Sequence, residues 1–212
     1  MAPSQRPEDR GSVKADVASF KRQQILEVAV KLFLQNGYHG TPVDAIASAL
    51  GVSKQFVYYQ FTDKAAILNA LCTTGAELTL SAIVDADDPT NSATECIARF
   101  AGRLTEIVID HGHYLAVYAS EVTSLNDNDR KRILGIRADI DRRVSELIRR
   151  GITTEQFTAE DPLTAARAIT GMISYMWTWA HTTDPAERER LVADMTRIAL
   201  RSLDATHRRD QT

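Results

Sequence analysis

Apolar side chains recur every three or four residues along most of the chain, and no stretch alternates apolar and polar positions between turn signals. The pattern predicts an all-α protein. Phe20, Ile25, Ala29, Leu32 and Phe33 predict the inward face of a first helix from about Val17 to Asn36, stopped by Gly37. Thr41-Pro42 predicts a second helix, with Thr41 as cap and Asp44 returning a hydrogen bond to it. That helix carries Ala45, Ile46, Ala49 and Leu50 on one face and ends at Gly51. Val52 fills the corner, Ser53 caps a third helix over Lys54 to Gln60, and Thr62 caps a fourth from Asp63 to about Val84. Its stripe is Ala66, Ile67, Ala70, Leu71, Leu78 and Ile83, and Gly75 in mid-length predicts a bend or a close approach.

The loop DADDPTNS separates a fifth helix, about Ser92 to Asp110, from the fourth. His111-Gly112-His113 predicts a break, followed by a short sixth helix over Tyr114 to Thr123 and a seventh from about Asp127 to Arg150, before Gly151. Asp161-Pro162 and Asp184-Pro185 each offer a cap and a first-turn proline, with Glu187 completing a capping box in the second case. The expectation is therefore nine helices. The eighth is apolar nearly all round, through Ala165, Ile169, Met172, Ile173, Met176, Trp177, Tyr175, Trp179 and Ala180. In the ninth, Val192, Leu200 and Leu203 widen the face of Leu191, Met195, Ile198 and Ala199. Such helices need cover on two sides, either from a wide core or from their own copies in a homodimer through helices eight and nine.

A chain of 212 residues, 44% of them hydrophobic, can bury a substantial core. Residues 1–17 mix charges with Pro, Gly and Ser and predict a flexible arm, neither signal peptide nor anchor, so a cytoplasmic protein is expected. The apolar run MISYMWTWA is far shorter than the ~20 residues that span a bilayer, and no membrane partner is expected. Cys72 and Cys96 lack any metal-ligand spacing and read as core residues. The net charge of -3 is unevenly spread: residues 1–64 hold eight basic and six acidic side chains, a balance of +2, which leaves -5 for the rest. A weakly positive head on an acidic body is compatible with a polyanionic partner.

The third helix contains no acidic residue and carries hydroxyl, amide and amine donors at its leading end, with Tyr58 and Tyr59 one turn later. A short helix of this kind, set on a tight glycine turn, suits a groove lined by phosphates. The run GVSKQFVYYQFTDKAAIL, preceded by RQQILEVAVKLFLQNGYHGTPVDAIASAL, resembles the amino-terminal domain of the TetR family of ligand-responsive transcriptional repressors. The likeness covers residues 18–78; Phe56 and Val57 replace a small or hydroxylated pair often found there, and Gln60 replaces the usual histidine. It implies a helix-turn-helix DNA-binding domain over 18–78 and a ligand-binding and dimerisation domain over 79–212. Ser53, Lys54, Gln55 and Phe56 would then lead into the major groove, while Thr41, Tyr58, Tyr59 and Lys64 contact phosphate. Phe56 can equally be packed, and one of the two tyrosines can be a core aromatic. Arg10, Lys14, Lys21 and Arg22 either add contacts from the arm or are ordinary solvated charges.

No catalytic or cofactor motif is present, so no cofactor and no catalytic residue are expected. The histidine pair can be a metal pair, but the reading favoured by the absence of a third ligand is a helix break with exposed imidazoles. Arg142-Arg143 and Arg149-Arg150 read as solvated charges at a helix end. Phe100, Leu104, Ile107, Tyr114, Tyr118, Met172, Met176 and Trp177 predict an apolar ligand site between helices, or solid core. Arg103 and Arg137 lie near these stripes and suit an anionic group such as a carboxylate or a coenzyme A phosphate. The tail MISYMWTWAHTTDPAERERL is similar to TetR-like regulators of fatty-acid and steroid breakdown, some of which sense acyl-coenzyme A thioesters. The expected partners are thus a double-stranded palindromic operator, a small apolar or amphipathic effector and a second copy of the chain. The rivals are an activator or architectural protein without an effector, and an all-helical enzyme on the same scaffold.

Overall fold

The computed structural model describes the backbone of residues 7–204 and the side chains of residues 19–204. Eight α-helices appear among the described residues: α1 (Pro7–Gly40), α2 (Val43–Leu50), α3 (Lys54–Gln60), α4 (Lys64–Ala86), α5 (Ala93–Glu121), α6 (Asp127–Thr153), α7 (Pro162–Ser174) and α8 (Pro185–Leu203). Single 3-10 turns, Val122–Ser124 and Tyr175–Thr178, follow α5 and α7. The expected nine become eight because the fifth and sixth are one helix. His111 leaves helical geometry (φ -130°, ψ 15°) and kinks α5 without ending it. Ile107 and Val108 before the kink and Tyr114, Leu115 and Val117 after it are all buried, so the chain keeps its course along the core.

α1 begins at Pro7, ahead of the Val17 expected, and its regular part ends at Gly37 (φ 73°) as the glycine foretold. Of the arm expected over 1–17, residues 1–6 lie outside the described residues, as do the side chains of Arg10 and Lys14. Phe20, assigned to the inward face, is 64% exposed. Asp63, not Thr62, caps α4 by accepting from the Ala66 N–H at 2.7 Å. Glu187 accepts the Thr182 hydroxyl at 2.5 Å instead of closing a capping box. The apolar segment after α7 leaves the helix at Ser174, so Tyr175 and Trp179 project outward while Met176 is buried.

Two cores meet at α4 and α5. The first is built on Ile25, Ala29, Phe33, Ile46, Val57, Phe61, Leu68 and Leu71, and takes Tyr114, Val117, Leu125 and Ile133 from later in the chain. The second runs from Ala82 to Leu203 and includes Ile97, Phe100, Leu104, Val144, Ile148, Ile169 and Met176. α4, with 23 residues and little charge, has the length and composition of a membrane span, but Ile67, Leu68, Leu71, Ala82 and Ile83 are buried among its neighbours. Gly75 lets α4 lie directly on α5: a Cβ there would meet the Tyr114 carbonyl oxygen at 3.1 Å. Close approach, not a bend, explains it, since α4 is continuous through this point.

Candidate nucleic-acid interface and ligand cavity

Local sequence builds the head. Val43, Ile46 and Ala47 seat α2 on α1. Gly51 turns the chain in the left-handed region (φ 67°, ψ 29°), and the Val52 N–H reaches back to the Ala47 carbonyl at 3.0 Å. Ser53 then caps α3, its Oγ accepting from the Phe56 N–H at 3.2 Å. Val57, fully buried, fixes which face of α3 turns inward. Opposite it, Ser53, Lys54, Gln55, Tyr58 and Tyr59 are exposed, Tyr59 to 85%. Neither tyrosine is a core aromatic. Phe56 is half-buried against the first core, with the Lys21 ammonium 5.6 Å from its ring centre.

Charged groups brace this tip. Lys54 pairs with Asp44 at 2.7 Å, tying α3 to α2, and the hydrogen bond and charge of that carboxylate hold the ammonium above its ordinary pKa. Arg22 lies 3.8 Å over the Phe61 ring and donates to the Gln60 carbonyl at 2.8 Å, closing the end of α3. Neutral donors on Gln55, Tyr58 and Tyr59 and the still exposed Lys54 therefore make up the outward chemistry.

Thr41 and Lys64 have another task. Thr41 is 1% exposed, and its hydroxyl donates to the Leu32 and Gly37 carbonyls at 3.1 and 2.9 Å. It locks the end of α1 instead of capping α2, whose first turn has no side-chain cap. Lys64 donates to the Tyr38 carbonyl at 2.8 Å and the Thr41 carbonyl at 3.1 Å, and sits 4.3 Å over the Tyr38 ring. Neither side chain presents the free phosphate-binding group expected of it. The same joint is held from the body by Glu121, whose carboxylate accepts from the Tyr38 N–H at 3.0 Å. Burial, followed by the charges of Asp63 and Glu121, raises the Tyr38 phenol above its usual pKa.

A cavity of about 380 Å³ lies between α4, α5, α6 and α7. Gly75, Ala76 and Thr79 of α4 and Leu115, Tyr118 and Ala119 of α5 form one wall; Ile133, Arg137, Ile140 and Asp141 of α6 and Thr170, Gly171 and Ser174 of α7 form the other. Trp177 closes one side, together with Tyr175. Of the residues expected to line a ligand site, Tyr118, Arg137 and Trp177 do so. Phe100, Leu104 and Met176 are fully buried and Ile107 is 2% exposed, all in solid core, and Met172 packs against that core. Tyr114 is buried in the first core, its hydroxyl accepting from Gln23 at 2.8 Å. Arg103 is exposed and paired with Glu106 at 3.2 Å, away from either cavity. Sequence reading missed Asp141 and Thr170; polar residues on otherwise apolar faces of α6 and α7 were the available signal.

A second cavity of about 590 Å³ separates the end of α1 from α5, between Phe33, Leu34 and Gly37 on one side and Val108, Gly112, His113 and Glu121 on the other. Burial, then the neighbouring His111 and Lys31, lowers the His113 pKa, with Glu27 opposing. No group of three His, Cys, Asp or Glu side chains with metal-site geometry occurs among the described residues. Arg142 and Arg143 are engaged with Asp139 and Glu146 on their own helix, and Arg150 reaches Cys96 Sγ at 3.1 Å. Burial pushes the Cys72 thiol up to about 12.

Comparison with known proteins agrees with this architecture. The model of the tetracyclin repressor-like C-terminal domain matches residues 90–203, and that of bacterial regulatory proteins of the tetR family matches residues 25–71. The HTH-type transcriptional regulator YuxN of Bacillus subtilis (strain 168) is 28% identical over 101 residues, 48% of this chain and 35% of that protein. The chain thus spans about a third of the length of that curated relative. A tetR-family regulatory protein from Rhodococcus RHA1 superposes with a TM-score of 0.79 at 25% identity, covering 87% of this chain and 97% of that one. AibR, solved in complex with isovaleryl coenzyme A and operator DNA, shares the fold at a TM-score of 0.73 and 19% identity, over 84% of this chain and 97% of its own. With a family model matching more than half its length, the chain belongs to the TetR family of bacterial regulatory proteins.

Proposed function

We propose that the protein is a dimeric transcriptional repressor that binds a palindromic operator through residues 18–78 and is released by a small apolar or amphipathic effector held within residues 79–212. The observation that carries this reading is the shared use of α4. Its Gly75, Ala76 and Thr79 wall the 380 Å³ cavity, and its first residue, Lys64, grips the joint that aims α3. A ligand favouring a shifted α4 redirects the two reading helices through that grip. A coupling of ~1 to 3 kcal/mol changes operator affinity about 5- to 150-fold.

The exposed face of α3 supports groove reading: Gln55 can offer a donor and an acceptor to an adenine edge, Tyr58 and Tyr59 are exposed to meet phosphate, and Lys54 keeps an exposed ammonium while paired with Asp44. The exposed apolar side chains Leu163, Tyr175, Trp179 and Ile198, on and beside α7 and α8, support pairing of these helices with their copies. A cavity of this size is within the range that holds small ligands. AibR, a relative in fold, is known with isovaleryl coenzyme A, and Arg137 at this cavity suits the anionic part of such a thioester or of another hydrophobic acid. A DNA-binding regulator of this kind works in the cytoplasm.

Titration of the full chain into duplexes from upstream of its own gene, with and without cell metabolites, tests the reading. Binding that a metabolite weakens is the expected result. Binding that no metabolite alters turns the reading into that of an effector-free DNA-binding protein, and turnover of a bound metabolite into that of an enzyme.

A further inference from the structure

Between Thr41 and Thr62 the chain has two charged side chains, Asp44 and Lys54. They are paired with each other at 2.7 Å, across the turn from α2 to α3. The unit that enters a groove is therefore electroneutral. A cation already balanced by an adjacent carboxylate brings no net charge to a polyanion and displaces few of its counterions. Lys64, at the start of α4, is taken up by the Tyr38 and Thr41 carbonyls. Phosphate binding strong enough to seat a regulator on DNA needs cations from elsewhere.

Two such cations stand beside α3, both on α1. The Lys21 ammonium lies 5.6 Å from the Phe56 ring centre. The Arg22 guanidinium lies 3.8 Å from that of Phe61 and donates through Nη1 to the Gln60 carbonyl at 2.8 Å. These contacts are to rings and a carbonyl, so neither charge is cancelled by them. No acidic side chain stands three or four residues from either along α1, where a helix would pair it. Arg22 is exposed and Lys21 partly so. A guanidinium has N–H donors to spare once the Gln60 carbonyl has taken one. Lys21 sits by the middle of α3 and Arg22 by its end, which sets two uncancelled charges along the flank of the reading helix. A helix lying in the major groove runs between the sugar-phosphate backbones, so its flank faces phosphate.

Resting on the reading of α3 as the groove-entering helix, we infer that Lys21 and Arg22 form the phosphate clamp of each subunit. The Asp44–Lys54 pair keeps the reading unit neutral, so α3 discriminates by base edges and not by charge. Sequence-independent attraction comes from α1, and sequence reading from α3.

Fluorescence anisotropy of the full chain with a duplex from upstream of its own gene and an unrelated duplex of equal length, each over a salt series, tests the inference. Lys21→Gln and Arg22→Gln should each lower the slope of log affinity against log salt by about 0.9 per subunit, on both duplexes alike. For a dimer, a roughly fourfold rise in salt then weakens binding about tenfold less than it does in wild type. Arg22→Lys should keep the wild-type slope while its melting temperature falls, since the charge is retained and the planar fork that joins ring to carbonyl is lost. Lys54→Gln should leave the slope unchanged, and Asp44→Asn should raise it by about 0.9 per subunit by freeing Lys54. A wild-type slope in Lys21→Gln or in Arg22→Gln overturns the inference while leaving α3 as a DNA reader. So does a slope that falls as far in Arg22→Lys as in Arg22→Gln, or one that Lys54→Gln lowers. Failure of the wild-type protein to bind either duplex at low ionic strength overturns the reading of α3, and the inference with it.

Discussion

Replacing Lys64 separates a structural joint from a phosphate contact. The Lys64 ammonium makes hydrogen bonds of 2.8 and 3.1 Å to the Tyr38 and Thr41 carbonyls and lies 4.3 Å over the Tyr38 ring. A hydrogen bond involving a charged group contributes ~1.5 to 3 kcal/mol, and a partly exposed cation–π contact ~0.5 to 1 kcal/mol. The joint is only partly buried, so water recovers some of this, and Lys64→Met should destabilise the fold by about 2 to 3 kcal/mol. For a chain of this size that lowers the melting temperature by roughly 4 to 12 °C. Operator affinity should fall with it, because the α1–α2 joint that aims α3 loosens. The slope of log affinity against log salt should stay unchanged, whereas loss of a phosphate contact lowers it by about 0.9. Differential scanning calorimetry and a salt series of fluorescence anisotropy titrations read both quantities. An unchanged melting temperature with a slope reduced by about one unit would refute the structural role.

Three further outcomes follow from the same geometry. Gln55→Ala should relax preference at one base position by ~1 to 3 kcal/mol in a panel of single-base operator variants while leaving the salt slope intact; a uniform loss across the panel places Gln55 on the backbone instead. Gly75→Ala puts a Cβ 3.1 Å from the Tyr114 carbonyl oxygen, and overpacking of ~1 to 3 kcal/mol outweighs the ~1 kcal/mol gained in helix propensity; a variant more stable than wild type in urea contradicts the close approach. His113 has a folded pKa below its ordinary 6.5, so the unfolded chain binds its proton first and stability falls as pH drops below about 6.5 toward the folded value. His113→Gln should flatten that stretch of the stability profile. It should leave untouched the loss at lower pH, which belongs to carboxylates such as Asp110, held down by Arg188, and Asp139, held down by Arg143 and Arg142.

What could be read from the sequence divides by the range of the interactions involved. Gly51 and the Ser53 cap act within a few residues, and the helix-turn-helix they define is present where the pattern placed it. Gly75 signalled a special position, and only the packed helices decide that it serves close approach. Thr41 and Lys64 occupy positions at which the TetR resemblance implies phosphate contacts. Their actual partners, Leu32, Gly37 and Tyr38, are fixed by how α1, α2 and α4 converge. Periodicity marked Phe100, Leu104, Ile107 and Met176 as inward, and they are. Whether an inward face meets solid packing or a void depends on the neighbouring helices, so the cavity keeps Tyr118, Arg137 and Trp177 of the expected lining and is otherwise walled by residues such as Gly75, Asp141 and Thr170. His111 distorts the backbone as its place in HGH suggested, but burial on both sides of it keeps α5 in one piece.

In the proposed function, two copies of this chain present the exposed tip of α3 to one duplex at a fixed separation. Sedimentation equilibrium of the full chain with a labelled duplex from its own promoter, at low ionic strength, tests it most directly. The expected result is a dimer in free solution and a complex of one dimer per operator half-site pair. A strictly monomeric protein that leaves the duplex free at every concentration tested would contradict it.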